Sequence, residues 1–393
     1  MSPKARTALI HSSLFLATLI TTTLAGAEWA YGKSVLVYDY AWKDLLNARS
    51  IFNPDFTWND FTSGLPYSLS FLFILTAHEF GHYFTAIYYR VKTSLPYYIP
   101  LPPFTFLFGT LGALIRIRSY IPSRQQHFDI GIAGPLAGFI AAVGILFYGF
   151  LTLPPPEYVF QFHPEYKQFG LDYASHVYSA AFLKSGTADI IIGKNLVFAF
   201  FEKFVGDPSR IPNSHELIHY PILFAGYLSL IFTCLNLIPI GQLDGGHVLY
   251  GLIGYQWHKR VATALYFCFV IYTGLGFVSP KEPVADLLNK IPIAIGFLFG
   301  CFTGLKLSKK DTLMIALATF VVLFLIALFF PTLKGSTAFW PFVLLIGLFV
   351  GIAHPPSPIE EPLTLGRKIL GWIALLIFIL CFTPNPLEVI LIP

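Results

Sequence analysis

Charged side chains are scarce in this sequence. Lys, Arg, Asp and Glu together make up only 12% of its 393 residues, whereas soluble globular proteins carry about 25%. Hydrophobic residues account for 55%. The shortage of charge argues against a soluble chain of two or three domains, and it predicts an all-α polytopic membrane protein whose helices share one bundle.

Long basic runs and paired cysteines are also missing. The formal net charge is +4, and no cluster of Lys and Arg is long enough to indicate nucleic-acid binding. The cysteines all lie in apolar stretches without the short spacing of a metal or disulfide motif, at Cys234, Cys268, Cys301 and Cys381. We therefore predict that they are small apolar packing residues, and not a disulfide framework or a set of zinc ligands.

What the sequence does contain is a series of apolar stretches, about nine of which approach the roughly 17–25 residues of a membrane-spanning helix. They are Leu9–Ala25, Pro66–Tyr89, Ile130–Leu153, Pro221–Ile240, Val261–Val278, Ile291–Leu305, Thr312–Phe330, Phe339–Ala353 and Ile369–Phe382. The first could instead be a cleaved signal peptide, because Lys4 and Arg6 precede it and Leu24–Ala27 resembles a cleavage site. Its length favours an uncleaved span.

Lys and Arg residues beside the spans predict the orientation of the chain. Lys4 and Arg6 place the N-terminus in the cytoplasm, and the later basic clusters, as far as Arg367 and Lys368, then also fall on the cytoplasmic side. The C-terminus lies outside in this topology. So does the largest connection, Pro154–Tyr220.

The region Leu95–Ser119 breaks the helical pattern. Four prolines prevent a regular helix there: Pro96, Pro100, Pro102 and Pro103. Between Phe104 and Arg118 the pattern changes, since isoleucine alternates with arginine at its end as in a strand, and Gly109 and Gly112 could form a turn. We predict a small re-entrant β-hairpin at membrane depth, which is tolerated only where protein or a watery cavity covers it.

The second predicted span carries His78-Glu79-Phe80-Gly81-His82. Residues four apart share one face of a helix, so both imidazoles point at one spot, as a zinc ion requires. Glu79 lies beside that spot and can take a proton from zinc-bound water. An acid at the centre of a span costs about 3 kcal/mol, and a metal would compensate that cost. The alternative is that these groups only hydrogen-bond to other helices.

A third ligand must come from elsewhere, because catalytic zinc usually has three protein ligands and one water. The best candidate is Asp244, in the stretch Asn236–His247 that follows a span ending on the same predicted side as the second span. Pro239 and the neighbouring glycines would break the helix and let Asp244 turn toward the metal. Without His78 and His82, an aspartate of a helix end or turn would be the favoured interpretation.

The other histidines are weaker candidates. His247 follows the aspartate motif and could support the metal site from outside, although a packing or solvent-facing role is favoured. We predict that His354, at a span end, is not a ligand. The remaining candidates lie in the connection predicted to be outside the membrane, on the wrong side for this metal: His163, His176, His215 and His219.

The pair of motifs resembles the site-2 protease family of intramembrane zinc metalloproteases. The family pattern combines HExxH in a span with N-x-x-P-x-x-x-L-D-G near the end of a later span, which is matched by Asn236, Pro239, Leu243, Asp244 and Gly245. The stretches Gly109–Ala113 and Ala133–Gly138 also resemble family segments. The resemblance covers about residues 64–252, and no PDZ domain of the kind found in bacterial relatives is recognisable.

The resemblance implies roles for these residues. His78, His82 and Asp244 would hold Zn²⁺, and Glu79 would be the general base in peptide-bond hydrolysis. Asn236 would bind the substrate backbone or the oxyanion, with a helix-packing hydrogen bond as the equal alternative, and the hairpin around Gly109 and Gly112 would pair with an extended substrate.

The resemblance also implies a setting. The substrates would be single-pass transmembrane proteins, cut within or near their spans in regulated intramembrane proteolysis. The enzyme would lie in the lipid bilayer of a prokaryotic cell membrane, with its active site toward the cytoplasm. Residues 1–63 would form the first span and an outer loop, 64–260 the catalytic core, and 261–393 further spans without an assigned role.

Two other readings compete with a protease. A metal transporter would need acidic and histidine groups along several spans, whereas this chain concentrates them in two motifs. An inactive homologue would act as a binding module, but Glu79 is present, so the sequence gives that alternative no support.

Overall fold

The computed structural model describes residues 3–36, 52–102, 108–178 and 188–391. Helices dominate these residues, and the few strands are short. The chain forms two compact units. The first comprises residues 1–120, 133–233 and 388–393, and the second comprises 121–132 and 234–387.

Ten helices and strands belong wholly or mainly to the first unit before the chain passes into the second. They are α1 (Pro3–Tyr31), α2 (Trp58–Ser63), α3 (Leu65–Tyr88), β1 (Tyr97–Pro100), β2 (Thr110–Leu114), α4 (Arg124–Leu151), α5 (Ala174–Val177), β3 (Ala188–Ile192), α6 (Leu196–Phe204) and α7 (Pro221–Asn236). The 3₁₀ segments Pro156–Gln161, Pro164–Asp172 and Leu217–His219 lie in the connection between α4 and α7. β3 pairs with β4 (Leu387–Leu391) near the C-terminus.

Small residues let α1 pack closely on the start of α3. A Cβ atom at Gly64 would lie 1.9 Å from the carbonyl oxygen of Thr23, and one at Gly26 would lie 2.7 Å from the carbonyl oxygen of Gly64. The hydroxyl groups of Thr22 and Ser68 hydrogen-bond at 2.6 Å across the same interface. Close backbone approach and side-chain hydrogen bonds are the usual means of helix association in membranes. They fix α3, which carries the HEFGH motif, against α1.

A β-hairpin follows α3, as expected, but its strands differ from the prediction. Tyr97 pairs with Leu114, and Pro100 pairs with Thr110, in an antiparallel register. Gly112 therefore lies within β2 and not in a turn, and the isoleucine–arginine alternation falls after the strand, where only Ile117 forms an isolated bridge. Residues 103–107, including Pro103 and the start of the predicted Phe104–Arg118 stretch, lie outside the described residues.

The second unit is helical. Its helices are α8 (Asp244–Gly274), α9 (Val284–Phe302), α10 (Lys309–Phe329), α11 (Trp340–Leu345) and α12 (Leu365–Cys381), with short 3₁₀ or π segments at Thr303–Leu305, Thr337–Phe339 and Ile346–Val350. Buried aliphatic and aromatic side chains fill its core, where the Tyr266 hydroxyl donates to the carbonyl oxygens of Cys301 and Val343. The cysteines are free, and all except Cys268 are buried.

Four described helical segments are long and apolar enough to cross a membrane. They are Ala5–Tyr31, Arg124–Leu151, Val284–Leu305 and Lys309–Phe329, and the apolar segments Pro221–Asn236 and Thr337–Val350 are shorter. The prediction of a mainly helical, multi-pass membrane protein is thus confirmed. The count of nine spans stays a prediction.

Candidate metal centre

The two histidines and the glutamate of the HEFGH motif are buried on α3. His78 and His82 are 7% and 8% exposed, and Glu79 is 5% exposed. The two Nε2 atoms lie 3.1 Å apart. Two nitrogen ligands of a tetrahedral zinc ion, at 2.0–2.1 Å from the metal, are about 3.3 Å apart. The helical spacing of the motif therefore produces the predicted pair of donors with a separation that suits one shared metal ion.

Glycines of α4 create the space for these histidines. A Cβ atom at Gly134 would lie 2.1 Å from His82 Nε2, and one at Gly138 would lie 3.2 Å from His78 Nδ1. On the α3 side, a Cβ at Gly81 would lie 2.5 Å from the Ala133 carbonyl oxygen. The stretch Ala133–Gly138, noted in the sequence only as a resemblance, thus has a physical reason for its small residues. It allows α4 to lie directly against the imidazoles.

The hairpin is attached to both α1 and α3. The Tyr98 hydroxyl on β1 hydrogen-bonds to Thr76 Oγ1 on α3 at 2.7 Å. Gly109, at the start of β2, has a φ of +77° and accepts a hydrogen bond from Thr21 Oγ1 of α1 at 2.6 Å. The backbone N–H of Gly112 donates to Thr110 Oγ1 at 3.0 Å. Of the two glycines predicted to contact substrate, Gly112 therefore uses its own N–H within the hairpin.

The second motif, which contains Asp244, forms a compact turn in the second unit. Asn236 ends α7, and Asp244 begins α8, where a carboxylate is stabilised by the helix dipole. Glycine is required at two positions of this turn, one between Asn236 and Asp244 and one directly after Asp244. Gly241 has a φ of +61°, and a Cβ at Gly245 would lie 2.0 Å from the Leu237 carbonyl oxygen. The predicted break of the helix after Asn236 is confirmed.

The second unit also contains a histidine cluster that sequence spacing does not reveal. One ring nitrogen from each of His127, His247 and His354 lies within 4.8 Å of the others. His354 donates through Nδ1 to the Pro355 carbonyl oxygen, so its Nε2 accepts from His247 Nδ1 at 2.8 Å. Burial, aided by the adjacent His247, lowers the pKa of His354 to about 2. Each of the three pairs is 107 or more positions apart in the sequence, and no short sequence motif predicts the cluster.

The chain is apolar and helical, and it presents two histidines and a glutamate in the HExxH pattern. These features are typical of membrane proteins that carry a metalloprotease-type motif. Residues 66–278, more than half of the chain, match the family model described as Peptidase family M50, and the chain belongs to that family. The resemblance found in the sequence is thereby confirmed.

Curated relatives are plant proteins. The chain is 29% identical over 198 residues to "Probable zinc metalloprotease EGY1, chloroplastic" of Oryza sativa subsp. japonica, covering 49% of this chain and 28% of the relative. It is 26% identical over 244 residues to "Probable zinc metalloprotease EGY2, chloroplastic" of Arabidopsis thaliana, covering 58% and 38%. The chain thus spans less than half the length of these relatives. No solved structure matches it significantly.

Proposed function

We propose that this protein is a zinc-dependent endopeptidase that hydrolyses peptide bonds in or near transmembrane segments. The observation that carries the proposal is the 3.1 Å separation of the His78 and His82 Nε2 atoms on a buried helix face beside Glu79. Membership of Peptidase family M50 and the names of the relatives support the same activity.

The proposed zinc ligands are His78, His82 and Asp244. Asp244 follows from the N-x-x-P-x-x-x-L-D-G pattern and from the requirement for a third protein ligand at a catalytic zinc site. The compact glycine-containing turn before α8 supports a fixed position for its carboxylate. Bound zinc would supply Lewis acidity, lowering the pKa of a coordinated water toward about 7.

Glu79 acts as the general base and then as the general acid. Its carboxylate accepts the proton of the attacking water and returns it to the amine that leaves the cleaved peptide bond. Burial of Glu79 favours this role because the surrounding apolar residues restrict bulk water around the carboxylate. Asn236 is proposed to hydrogen-bond the substrate backbone or the developing oxyanion.

The substrate is proposed to be a single-pass transmembrane protein that unwinds at the cut and pairs with the hairpin near Gly109 and Gly112. A helix hides its carbonyl groups, so an extended segment is easier to attack. The side chain of Leu111 on β2 is 66% exposed, which supports an accessible strand in this region. Strand addition would then align the backbone of the substrate with β2.

The membrane arrangement is part of the proposal. Nine spans, with the hairpin re-entrant and the metal site toward the cytoplasm, agree with every basic cluster in the sequence. Residues 64–260 would form the catalytic core. The predicted location is a prokaryotic cell membrane, whereas the curated relatives are chloroplast proteins.

A metal and cleavage assay with Glu79→Gln tests the proposal. The assay uses the full chain in detergent and a single-span reporter with an Asn-Pro pair in its span. Cleavage should fall by about 10²–10⁴-fold, the usual contribution of general acid–base catalysis, while the zinc content stays at the wild-type level. His78→Ala and Asp244→Ala should each lower the zinc content and abolish cleavage.

Glu157→Gln, in the connection after α4, is the matched control and should change neither quantity. Cleavage that survives Glu79→Gln would refute the mechanism. Zinc content that is unchanged by His78→Ala would refute the site. A metal-dependent transport activity without cleavage would favour the transporter alternative.

A further inference from the structure

The connection between α4 and α7 brings His163 next to Glu216 and His219, which lie more than 50 residues later in the sequence. His163 Nε2 lies 3.2 Å from His219 Nε2. Glu216 Oε2 lies 3.6 Å from the former atom and 3.5 Å from the latter. These atoms belong to 3₁₀ segments and turns of the first unit, and none of them belongs to the HEFGH motif.

The triangle of donor atoms has the dimensions of a metal site. Ligands of tetrahedral zinc are about 3.3 Å apart, and two histidines with one carboxylate are a common zinc ligand set. The separations of 3.2, 3.5 and 3.6 Å fit that geometry. At the same time, 3.5–3.6 Å is too long for the carboxylate to hydrogen-bond to either imidazole.

Hydrogen bonds to residues outside the triangle determine which atom of His163, Glu216 and His219 faces its centre. His219 Nδ1 donates to the Ala30 carbonyl oxygen at 2.5 Å, and the Tyr178 hydroxyl donates to Glu216 Oε1 at 2.5 Å. His163 Nδ1 lies 3.3 Å from Glu165 Oε1, a carboxylate that can only accept. Both Nε2 atoms are therefore left as acceptors. Partners of this kind orient metal-binding histidines and carboxylates.

A cation is needed to balance this arrangement. Glu216 Oε2 is buried and accepts no hydrogen bond from any residue that the structure describes, and its side chain is 3% exposed. Three acceptor atoms facing one another in a desolvated place are unfavourable unless a positive charge lies between them.

Aromatic rings hold the two imidazoles from outside. The Phe162 ring stacks on His219 at 4.3 Å, and the Tyr166 ring stacks on His163 at 4.5 Å. The His163 side chain is 30% exposed, so one side of the triangle is open to a water ligand. The site is thus built before any metal arrives.

We propose that His163, Glu216 and His219 bind a Zn²⁺ ion, in addition to the metal proposed for His78 and His82. Because Ala30 is at the end of α1, this second ion would fasten the connection between α4 and α7 to the first helix. Its role is structural. The ion stabilises the folded connection by binding to it in preference to the unfolded one.

Metal analysis of the full chain tests the site. The starting protein carries His78→Ala and His82→Ala, which removes the ligands of the other proposed ion. Adding His163→Ala should then lower the zinc content by about one ion per chain. Glu216→Gln, which keeps the size of the side chain and its Oε1 acceptor for Tyr178, should have the same effect. His176→Ala, at an exposed histidine on the short helix α5 of the same connection, is the control and should leave the zinc content unchanged.

Limited trypsin digestion gives a second measurement that does not depend on the zinc count. Lys167 lies in the 3₁₀ segment just after His163 and is exposed. A chelator should accelerate cleavage at Lys167 several-fold in the starting protein and should have no further effect in the His163→Ala variant. Equal zinc content with and without His163→Ala, or a cleavage rate at Lys167 that ignores the chelator, would overturn the proposal. Loss of peptidase activity plays no part in either measurement.

Discussion

The residues that make room for the proposed metal ligands matter as much as the proposed ligands themselves. His82 has the Cα atom of Gly134 against its ring, because a Cβ there would lie 2.1 Å from Nε2. The atom that would have to move is His82 Nε2 itself, which is the proposed metal-donor atom. Even the smallest side chain at this position would therefore displace the imidazole.

Gly134→Ala should abolish zinc binding by the HEFGH face and reduce reporter cleavage to the level of Glu79→Gln. Gly144→Ala, on the same helix, is the matched control, because a Cβ there meets nothing within 4 Å. Both changes remove one glycine from α4, so they share the same gain in helix propensity. Zinc analysis and cleavage of the reporter measure the difference. Full zinc content in Gly134→Ala would show that α4 does not constrain His82.

Single residues can be predicted from the sequence where one element carries the pattern. His78, Glu79 and His82 were selected by helical spacing alone, and all three are buried on α3. The cluster of His163, Glu216 and His219 could not be found, because 53–56 residues separate its first member from the others and the pattern in between is irregular. Only the folding of the connection between α4 and α7 brings them together.

At the scale of elements, α3 and the hairpin act as one assembly. The predicted second span, Pro66–Tyr89, differs from α3 by a single residue at each end, since an apolar helix is plain in the sequence. The hairpin strands were misplaced because the isoleucine–arginine alternation is only a local pattern. Contacts of β1 with α1, and of β2 with α3, select the observed register.

Tyr98→Phe should loosen this assembly. It removes the hydrogen bond to Thr76, which is worth about 0.5–1.5 kcal/mol, and lets β1 shift relative to α3, the helix of the proposed metal ligands His78 and His82. We expect slower reporter cleavage with an unchanged zinc content, because no proposed ligand is touched. Tyr97→Phe is the control, because it also removes one tyrosine hydroxyl from β1 but keeps the ring that packs on His11. Equal rates for the two variants would exclude a positioning role for the Thr76–Tyr98 bond.

At the scale of the whole molecule, the sequence predicts nine spans, and within the described ranges four helical segments have the length and apolar character to cross a membrane alone. The other predicted spans fall on helices that contain polar motifs or are short. The predicted span Val261–Val278, for example, lies mostly within the long helix α8, which bends where Gly254 has a φ of +75°. Polar functional groups lower the mean hydropathy of such helices, so length and composition do not test the nine-span prediction for them.

Cysteine labelling in intact cells tests the nine-span topology. A cysteine in place of Gln168, in the connection predicted outside, should react with a membrane-impermeant maleimide. A cysteine in place of Lys309, predicted inside, should react only after permeabilisation. Both positions are exposed, and the labelled variants also carry Cys268→Ser, because the other native cysteines are buried. Labelling of both positions from the same side would contradict the topology.

The first helix has a further consequence for how the protein matures. His11 hydrogen-bonds to the Pro96 carbonyl oxygen at 2.9 Å, and the Thr21 hydroxyl donates to the Gly109 carbonyl oxygen, so α1 supports the hairpin next to both of its strands. A peptidase cut near Ala25–Ala27 would remove this support together with the cleaved segment. The Tyr98–Thr76 hydrogen bond and the contacts of β2 with α3 would then remain. Removal of twenty-odd N-terminal residues would thus take away the His11 and Thr21 hydrogen bonds and would directly affect the strand that is proposed to bind substrate.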